Sequence, residues 1–344
     1  MARSAVVGWD IGGSNTKAVR VRAGRVEVVR AVAFEVREAP GALAQVLRDL
    51  AGTLAVGPGD WHAVTMTAEL SRTFRTKREG VAAVLAAIEE AVGPAPIRVF
   101  TVDGRFVEVA EARHAPLAVA AANWAATAHL VASHHPDALL VDIGTTSTDI
   151  VAIVGGAVCA MGTTDPERLL SGTLVYTGAL RTPVEAVVRQ VPLWQGMAGV
   201  AAEGFALTGD VHLWRGDLAA EAYTVPTPDG RPVTRAAAGE RIARMVCGDT
   251  EMLHAPDIDG IAAAVADAQV AQVAAALDGV RARHPGLRVA VVTGLGGFIG
   301  ERAARAAGLE VVALADHLGA AGARCAPAAA VALLLCDGLG GEDA

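Results

Sequence analysis

The sequence feature that constrains the fold most is an internal repeat. The segment DIGGSNTKAV begins at Asp10, and the segment DIGTTSTDIV, which begins at Asp142, aligns with it without a gap. In each copy an apolar strand ends in Asp-Ile-Gly, small polar residues follow, and a second apolar strand leaves. Repetition of one strand–turn–strand unit at this separation predicts two copies of one domain in a chain of 344 residues.

The predicted domain boundary lies where the second copy begins. We place an N-terminal domain at residues 1–136 and a C-terminal domain at residues 137–344. A polar stretch at about residues 203–259 interrupts the second copy and predicts an insertion. The last apolar run, AAAVALLL, predicts a helix that closes the C-terminal domain.

The amino-acid composition limits the classes of binding partner and the cellular compartment that we expect for this protein. Acidic residues outnumber basic ones by 37 to 29, and no dense Lys/Arg stripe appears, so a nucleic-acid partner is disfavoured. The four cysteines form no CxxC pair, which fits a reducing cytoplasm and argues against a disulfide framework or a zinc knuckle. Residues 1–9 lack the regions of a signal peptide. A cytoplasmic location is therefore expected.

The longest uncharged stretch, residues 114–136, has the length of a membrane span but not its composition. It contains Asn123, Thr127, His129, His134 and His135, and its apolar residues are mostly alanine. Alanine is too weakly apolar to carry so many polar groups into lipid. The stretch therefore predicts a buried alanine-rich helix, with Trp124 in the core, and no membrane association.

The two repeated loops have the composition of a phosphate site. Glycine lets the backbone approach a ligand and point its N–H groups at it, and hydroxyl and amide side chains add neutral donors. The first aspartate loop (residues 10–17) offers Gly12, Gly13, Ser14, Asn15 and Thr16, and the second aspartate loop (residues 142–149) offers Gly144, Thr145, Thr146 and Ser147. These residues are our candidates for binding a diphosphate or a nucleotide.

An aspartate beside a phosphate is repulsive unless a cation lies between them. Asp10 and Asp142 are therefore predicted to hold Mg²⁺, directly or through its waters, and to be catalytic, while Lys17 is a further partner for anionic charge. The two loops are expected to face each other across a cleft. A single Asp-Gly turn also occurs in ordinary hairpins, but a matched pair about one domain apart favours ligand binding.

A third glycine segment, VAVVTGLGGFIG at residues 289–300, imitates a dinucleotide-binding turn. Three residues separate Gly296 from Gly300, which is the wrong spacing, and only 28 residues follow Asp316 to supply further strands. An NAD site is therefore disfavoured. We expect Gly294, Gly296 and Gly297 instead to contact a nucleotide or another ligand between the domains.

Other polar residues each have a functional and a structural interpretation. Glu69 follows a strand and is either a general base, a partner for a substrate ammonium, or a carboxylate that stabilises a helix start. Asp103 in TVDGR is a catalytic candidate or a turn residue. Lys77 and Arg75 either meet phosphate or are solvated.

The polar insertion offers weaker candidates. Asp210 and His212 alternate and are predicted to share one side of a strand, either as a metal pair or as ordinary hydrogen-bonded residues, since no third ligand is evident. Arg241 and Arg244 lie three apart on a predicted helix that also leads to Asp249. They either contact substrate or make pairs on the helix surface.

Together, the paired loops and TGLGG resemble the phosphate-1, phosphate-2 and adenosine motifs of the actin, sugar kinase and Hsp70 superfamily. The resemblance covers nearly the whole chain. It implies an α/β fold with two ribonuclease-H-like domains around a central cleft.

A narrower resemblance rests on eight segments in order: TMTAELSRTFRTKREGV, VDGRFV, AAANWAATA, VDIGTTSTDI, GTLVYTGALRTPV, GDVHLW, TPDGRP and RIARMVCGD. They are similar to the hydantoinase/oxoprolinase-like branch linked to tetrahydromethanopterin-dependent one-carbon metabolism, and within it to the furanylmethanamine synthases of methanofuran biosynthesis. That resemblance implies a transferase that joins an aminomethyl-furanmethanol diphosphate to the phenol of tyramine or a γ-glutamyl-tyramine and releases diphosphate.

The same resemblance implies Mg²⁺ as cofactor, small molecules as substrates, and ATP binding as possible but not required by the reaction. Whether the protein forms a homo-oligomer is left open. Two alternatives follow from the ancestry of the loops: an ATP-dependent small-molecule kinase, and a non-catalytic nucleotide-dependent switch or assembly protein. Transfer of the γ-phosphate would identify the first, and nucleotide-dependent polymerisation without a product would identify the second.

Overall fold

The computed structural model describes residues 5–57 and 59–342. Its first sheet has six strands in the order β3-β2-β1-β4-β5-β6. They are β1 (Val6–Ile11), β2 (Asn15–Arg22), β3 (Arg25–Ala33), β4 (Trp61–Met66), β5 (Ile97–Phe100) and β6 (Phe106–Val107). Strand β1 runs antiparallel to β2 and parallel to β4, so the repeated strand–turn–strand unit forms the middle of the sheet.

The second sheet repeats this arrangement. Its order is β10-β8-β7-β13-β14, and β9 pairs with β8. The strands are β7 (Ala138–Ile143), β8 (Thr148–Val154), β9 (Ala157–Cys159), β10 (Leu174–Val175), β13 (Val289–Thr293) and β14 (Glu310–Ala313), while β11 (Gln190–Leu193) and β12 (Gly196–Gly199) form a separate hairpin. If the strands of the second sheet are numbered from β7 and β9 is left out, their order is 3-2-1-4-5. The first five strands of the first sheet have the same order.

Helices connect and cover the strands. They are α1 (Leu43–Gly52), α2 (Lys77–Val92), α3 (Val109–His114), α4 (Pro116–Val119), α5 (Asn123–His134), α6 (Asp165–Ser171), α7 (Val184–Val187), α8 (Thr208–Arg215), α9 (Arg235–Arg244), α10 (Ala255–Arg283), α11 (Gly297–Ala306), α12 (Ala315–Arg324) and α13 (Ala326–Glu342). The combination of helices with two sheets of matching order confirms the predicted α/β fold of the actin, sugar kinase and Hsp70 type.

Strand β1 is buried on both faces, as a sequence that is apolar except at Asp10 predicts. On one face, Trp9 and Ile11 join a core with Leu47 of α1 and Val84 of α2. On the other face α13 lies so close that a Cβ on Gly8 would come within 1.9 Å of the Ala328 carbonyl oxygen. The apolar run near the C-terminus therefore forms a helix that packs against β1, β2 and β4.

By contact, the chain divides into two compact units. The first comprises the chain up to Leu140, Val151–Ser171 and the chain from Val312 onward, and the second comprises Val141–Ile150 and Gly172–Val311. The second unit has its own core, in which α8, α9 and α10 pack together around residues such as Val211, Ile242 and Ile261. The boundary between residues 136 and 137 and the insertion at about 203–259 stay predictions.

Two apolar helical regions bear on the membrane question. Of the helices described, α10 alone has the length and composition of a span, with a mean hydropathy of 1.5, while α12 and α13 qualify only as one pair bent by 120°. Buried residues of α10 recur every three or four positions, as at Ile258, Ile261 and Val265, which is the pattern of a helix with one face on a core. The alanine-rich stretch instead breaks into short helices, of which α5 is mostly buried.

Candidate functional site

The first aspartate loop is closed by its own backbone and by an ion pair. The Gly12 amide donates to the Asn15 carbonyl at 3.1 Å, and a Cβ on Gly12 would lie 2.5 Å from that oxygen, so the turn requires glycine. Asp10 ends β1 with its side chain buried and lies opposite Lys17 of β2. The Lys17 ammonium donates to Asp10 Oδ2 at 3.2 Å. Lys17 therefore neutralises Asp10, and its role as a partner for an external anion stays a prediction.

Two hydroxyls near this loop are buried without a hydrogen-bond partner in the described part of the chain. They are Thr16 Oγ1 and Thr65 Oγ1. Thr65 lies opposite Asp10 in the pairing of β1 with β4, so both side chains share a face of the sheet. An unsatisfied buried hydroxyl costs free energy, and such groups are found where a ligand or an ordered water completes the bonding.

The second aspartate loop has the same turn but a different surface. The Gly144 amide donates to the Ser147 carbonyl at 2.9 Å, which matches the first loop. Within the described residues, the backbone amides of Thr145, Thr146 and Ser147 have no acceptor. We call these three successive amides the donor surface, because amides without an internal acceptor are available to phosphoryl oxygens. Asp142 immediately precedes this loop and is buried.

The segment after β10 packs against the second aspartate loop and donates hydrogen bonds to its carbonyls. The amide of Ala179 donates to the Gly144 carbonyl, and the amides of Leu180 and Arg181 both donate to the Thr145 carbonyl. A Cβ on Gly178 would lie 2.5 Å from the Thr146 carbonyl carbon, so only glycine permits this approach. The segment at residues 178–181 therefore fixes the backbone of the second loop at Gly144, Thr145 and Thr146.

The glycine turn (residues 294–297) approaches Asp142. Gly294 has φ +89°, and a Cβ there would lie 2.3 Å from the Ile143 carbonyl oxygen and 2.5 Å from Asp142 Oδ1. The Gly296 amide donates to the Ile143 carbonyl at 2.8 Å, and Gly297 begins α11. The structure therefore brings Gly294 and Gly296 to the second aspartate loop, with the N-terminus of α11 behind them.

Glu69 lies in a three-residue charged cluster, the Glu69 cluster, formed with Lys77 and Asp165. The Lys77 ammonium donates to Glu69 Oε1 at 3.0 Å and to Asp165 Oδ2 at 2.6 Å. Burial raises the pKa of the Glu69 carboxyl, and the positive charge of Lys77 opposes that rise. Burial by itself would lower the pKa of Lys77, but the two carboxylates outweigh it and raise that pKa. Lys77 is thus paired with carboxylates rather than solvated.

The other catalytic candidate, Asp103, is held by its own turn. Its carboxylate accepts hydrogen bonds from the Thr101 hydroxyl and from Arg105 Nε, and about half of its side chain is exposed. The hydrogen bond from Thr101 is the main reason why the pKa of Asp103 is lowered. These contacts fit the turn-residue interpretation, and a catalytic role for Asp103 stays a prediction.

The strand predicted for Asp210 and His212 is wrong, because these residues lie on helix α8. Residues two apart on a helix do not face the same side, so they form no metal pair. Asp210 instead accepts from Arg241 Nε at 2.8 Å and from the Tyr223 hydroxyl at 3.2 Å. Burial raises the pKa of Asp210 against the opposing effect of Arg241. Arg241 is on a helix as predicted, but it is buried rather than on the helix surface.

A buried hydrogen-bond path to the second loop was not foreseen from the sequence. Gln269 of α10 has no exposed surface; its Nε2 donates to Thr177 Oγ1 at 2.9 Å and to the Gly178 carbonyl at 2.8 Å. Its Oε1 lies 2.8 Å from His212 Nε2. A single glutamine in an alanine-rich helix belongs to no recognisable motif. The sequence could have indicated its role only in one way, because a lone polar residue on the apolar face of α10 needs a buried hydrogen-bond partner.

No three His, Cys, Asp or Glu side chains in the described ranges are grouped to form an all-protein metal site. Mg²⁺ does not require such a group, because it is commonly held by one or two carboxylates together with waters and substrate phosphate oxygens. Asp142 beside a donor surface for an anion meets that lesser requirement. The residues of the second aspartate loop therefore fit Mg²⁺ bound together with a diphosphate.

Comparison with known proteins identifies the family of this chain. Residues 60–337 match the family described as Hydantoinase/oxoprolinase. A protein of Methanocaldococcus jannaschii is 33% identical over 85% of this chain and 86% of its own length, and one of Methanococcus vannielii is 34% identical over 46% of this chain and 70% of its own. Both are named as the synthase of a furan-2-ylmethanamine that carries a (γ-L-glutamylamino)ethyl-phenoxymethyl group.

A solved structure of acetone carboxylase in its nucleotide-free form is similar to this chain with a TM-score of 0.57, over 96% of this chain and 70% of that one. At 13% identity this likeness concerns the fold alone. The matched family model and the relative from Methanocaldococcus jannaschii each cover most of the sequence. The chain therefore belongs to the hydantoinase/oxoprolinase family and, within it, to the furanylmethanamine synthases of methanofuran biosynthesis.

Proposed function

We propose that this protein is a Mg²⁺-dependent transferase that forms an aryl ether. The phenol oxygen of tyramine or of a γ-glutamyl-tyramine bonds to the furfuryl carbon of an aminomethyl-furanmethanol diphosphate. The bond from that carbon to the diphosphate breaks, its electron pair leaves with the diphosphate, and the phenol gives up its proton. Membership of the synthase family supports this reaction, since the related synthases are named for a phenoxymethyl-furan product.

The observation that carries the proposal is the donor surface of the second aspartate loop. The amides of Thr145, Thr146 and Ser147 have no acceptor among the described residues, and Asp142 lies just before them. Donors placed where charge develops on a leaving group stabilise the transition state without reorganisation. A departing diphosphate is such a group.

The residues of the chain have distinct roles in this proposal. The second-loop amides and hydroxyls bind the phosphoryl oxygens, and Gly294 and Gly296 keep the third segment close enough to fix Asp142. When bound, Mg²⁺ supplies positive charge that offsets the charge of the leaving group. Asp142 would hold that cation, and Asp10 is proposed for the same task, with Gly12, Gly13, Ser14, Asn15, Thr16 and Lys17 around it. The action of this enzyme is expected in the cytoplasm.

The test is synthesis of the ether by purified protein. The furan diphosphate, Mg²⁺ and either tyramine or γ-glutamyl-tyramine should give one ether and one diphosphate per turnover, quantified by mass spectrometry and a diphosphate assay. Replacing the furan diphosphate with ATP and the free furan alcohol is the control for a kinase. No ether with either phenol would contradict the proposal, and γ-phosphate transfer from ATP would favour the kinase instead.

A further inference from the structure

The Glu69 cluster contains one more negatively charged group than positively charged groups. Glu69 and Asp165 supply two carboxylates, Lys77 supplies one ammonium, and the side chain of Glu69 has no exposed surface. Of the two carboxylate oxygens of Glu69, Oε1 accepts from Lys77, whereas Oε2 is buried with no hydrogen-bond partner in the part of the chain that the structure describes. An ionised carboxylate oxygen in this position is costly unless a donor or a cation reaches it.

The fold holds Glu69 in place. It lies in a short 3-10 turn (Ala68–Leu70) that follows β4, and α2 packs directly on that turn. A Cβ on Gly80 of α2 would lie 2.3 Å from the Glu69 carbonyl oxygen, so the contact requires glycine at that position. Thr76 caps α2 and thereby fixes Lys77 at the first position of the helix. The Glu69 carboxylate is therefore fixed by its backbone rather than free to turn to solvent.

The outer members of the cluster are partly exposed. The side chains of Lys77 and Asp165 are 21% and 19% exposed, whereas that of Glu69 has no exposed surface. A divalent metal ion suits this place poorly, because it would exceed the single negative charge that two carboxylates and one ammonium leave. A primary ammonium balances that charge, and its N–H groups can donate to Glu69 Oε2.

We propose that Glu69 binds a primary ammonium group, that of the aminomethyl arm of the furan substrate. This inference rests on the proposed function for the identity of the amine. Trp124 Nε1 is likewise buried without a hydrogen-bond partner among the described residues, and the Arg168 guanidinium of α6 lies 4.2 Å from the centre of the same ring. Asp165 and Arg168 lie three apart on α6, so this helix links the aromatic pair to the Glu69 cluster.

The experiment is a calorimetric titration of purified full-length protein with aminomethyl-furanmethanol and, separately, with its N-acetyl derivative. The two ligands share the furan and differ in charge. Wild-type protein should bind the amine more tightly than the amide. In Glu69→Gln the amine should bind about tenfold to hundredfold more weakly, as expected for loss of a hydrogen bond to a charged group, while the affinity for the amide should not change.

Two further variants separate this effect from misfolding. Glu79→Gln removes a carboxylate from the first turn of the same helix and should bind the amine like wild type. Lys77→Gln removes the competing ammonium and should bind the amine as tightly as wild type or more so, a change in the opposite direction to Glu69→Gln. Equal affinity of wild-type protein for amine and amide, or unchanged binding in Glu69→Gln, would overturn the inference.

The titration needs no turnover, so its outcome is independent of the synthase assay. Amine binding that depends on Glu69, in a protein that makes no ether, would retain the inference and remove the proposed function. Ether synthesis with the same KM for the furan diphosphate in Glu69→Gln and in wild-type protein would retain the function and remove the inference.

Discussion

The two aspartate loops began as copies of one unit and now differ in charge and in hydrogen bonding. In the gap-free alignment Lys17 of the first loop corresponds to Asp149 of the second, and Gly13 corresponds to Thr145. The first loop therefore contributes one acid and one base, which form an ion pair, whereas the second contributes two acids. The second loop also has three amides without an acceptor among the described residues.

This difference shows how a duplicated turn can take two tasks. In the first loop Lys17 already pairs with Asp10, so that loop offers less net negative charge to a cation. A loop with two carboxylates and three amides that lack an acceptor among the described residues favours a cation together with an anion, which is the combination that a metal diphosphate provides. The comparison assigns most of the metal and diphosphate chemistry to the second loop, and the following predictions are chosen to break or sharpen that assignment.

The largest effect is expected from Asp142→Asn. Loss of this carboxylate should lower kcat by about 10²–10³-fold, a range typical for removal of one electrostatic contact to the transition state. Asp10→Asn should also lower turnover, but by less, because it mainly releases Lys17 from its ion pair. Steady-state rates of ether formation in the two variants, with circular dichroism to confirm folding, provide the measurement. Equal losses in both would remove the distinction between the loops.

The second prediction compares two loop glycines. Gly294→Ala should destabilise the protein by about 1–3 kcal/mol of unfolding free energy, since alanine is strained at φ +89° and its Cβ would meet Ile143 and Asp142. Gly13→Ala is the matched control: a Cβ there meets nothing within 4 Å. Denaturant unfolding measures both. Equal stability of the two variants would show that the glycine turn does not pack closely against the second aspartate loop.

These glycines also mark what the sequence could and could not predict. The repeat located both turns correctly, since a strand that ends in Asp-Ile-Gly can only continue as a tight turn, and it predicted the matching sheets. It did not show that Gly294 lies against Asp142, because that contact joins residues about 150 positions apart and depends on β13 pairing beside β7. Alternating polarity in GDVHLW predicted a strand, but the segment is a helix with most residues buried, a case in which burial on several sides hides the helical period.

The third prediction tests the buried path behind the second loop. Gln269→Leu leaves His212 Nε2, Thr177 Oγ1 and the Gly178 carbonyl without their glutamine partner. A loss of about 1–3 kcal/mol of unfolding free energy is expected, as for an unsatisfied buried polar group. Because Gly178 lies against Thr146, KM for the furan diphosphate should rise. Gln272→Leu is the control, since within the described ranges the side-chain amide of Gln272 donates to the Val187 carbonyl alone. A change of equal size in both variants would assign the effect to helix α10 in general.

The last prediction concerns acid stability, and it belongs to strand β1 next to the first loop. Trp9, one residue before Asp10, donates to His62 Nδ1 at 2.9 Å, whereas the corresponding residue of the second copy is Val141. Burial lowers the pKa of His62 from 6.5 to about 4. Between pH 6.5 and pH 4, His62 therefore binds a proton in the unfolded chain but not in the folded protein. The free energy of unfolding is highest above pH 6.5, where His62 is neutral in both states, and it decreases as the pH falls toward 4.

Between pH 7 and pH 5 this linkage should remove about 2 kcal/mol of unfolding free energy. His62→Gln keeps an acceptor for Trp9 and does not titrate, so its unfolding free energy should fall less over the same range. Urea unfolding of both proteins at the two pH values measures the difference. Identical pH dependence in wild type and variant would show that His62 is not the group responsible.

No sequence pattern foretold this pair, because a histidine within the apolar strand WHAVTM gives no hint of its partner. The same holds for the Glu69 cluster: position after a strand marked Glu69 as a candidate, but the ion pair of Lys77 with Asp165 joins residues 88 positions apart. Local pattern predicts elements and turns well, whereas buried polar partners are set by the tertiary fold.

The most direct test of the central claim is equilibrium binding of inorganic diphosphate. Wild-type protein should bind one diphosphate per chain only when Mg²⁺ is present, Asp142→Asn should lose this binding, and Asp10→Asn should retain most of it. Binding of diphosphate that is the same with and without Mg²⁺, or that survives Asp142→Asn unchanged, would contradict the assignment of the metal diphosphate to the second aspartate loop.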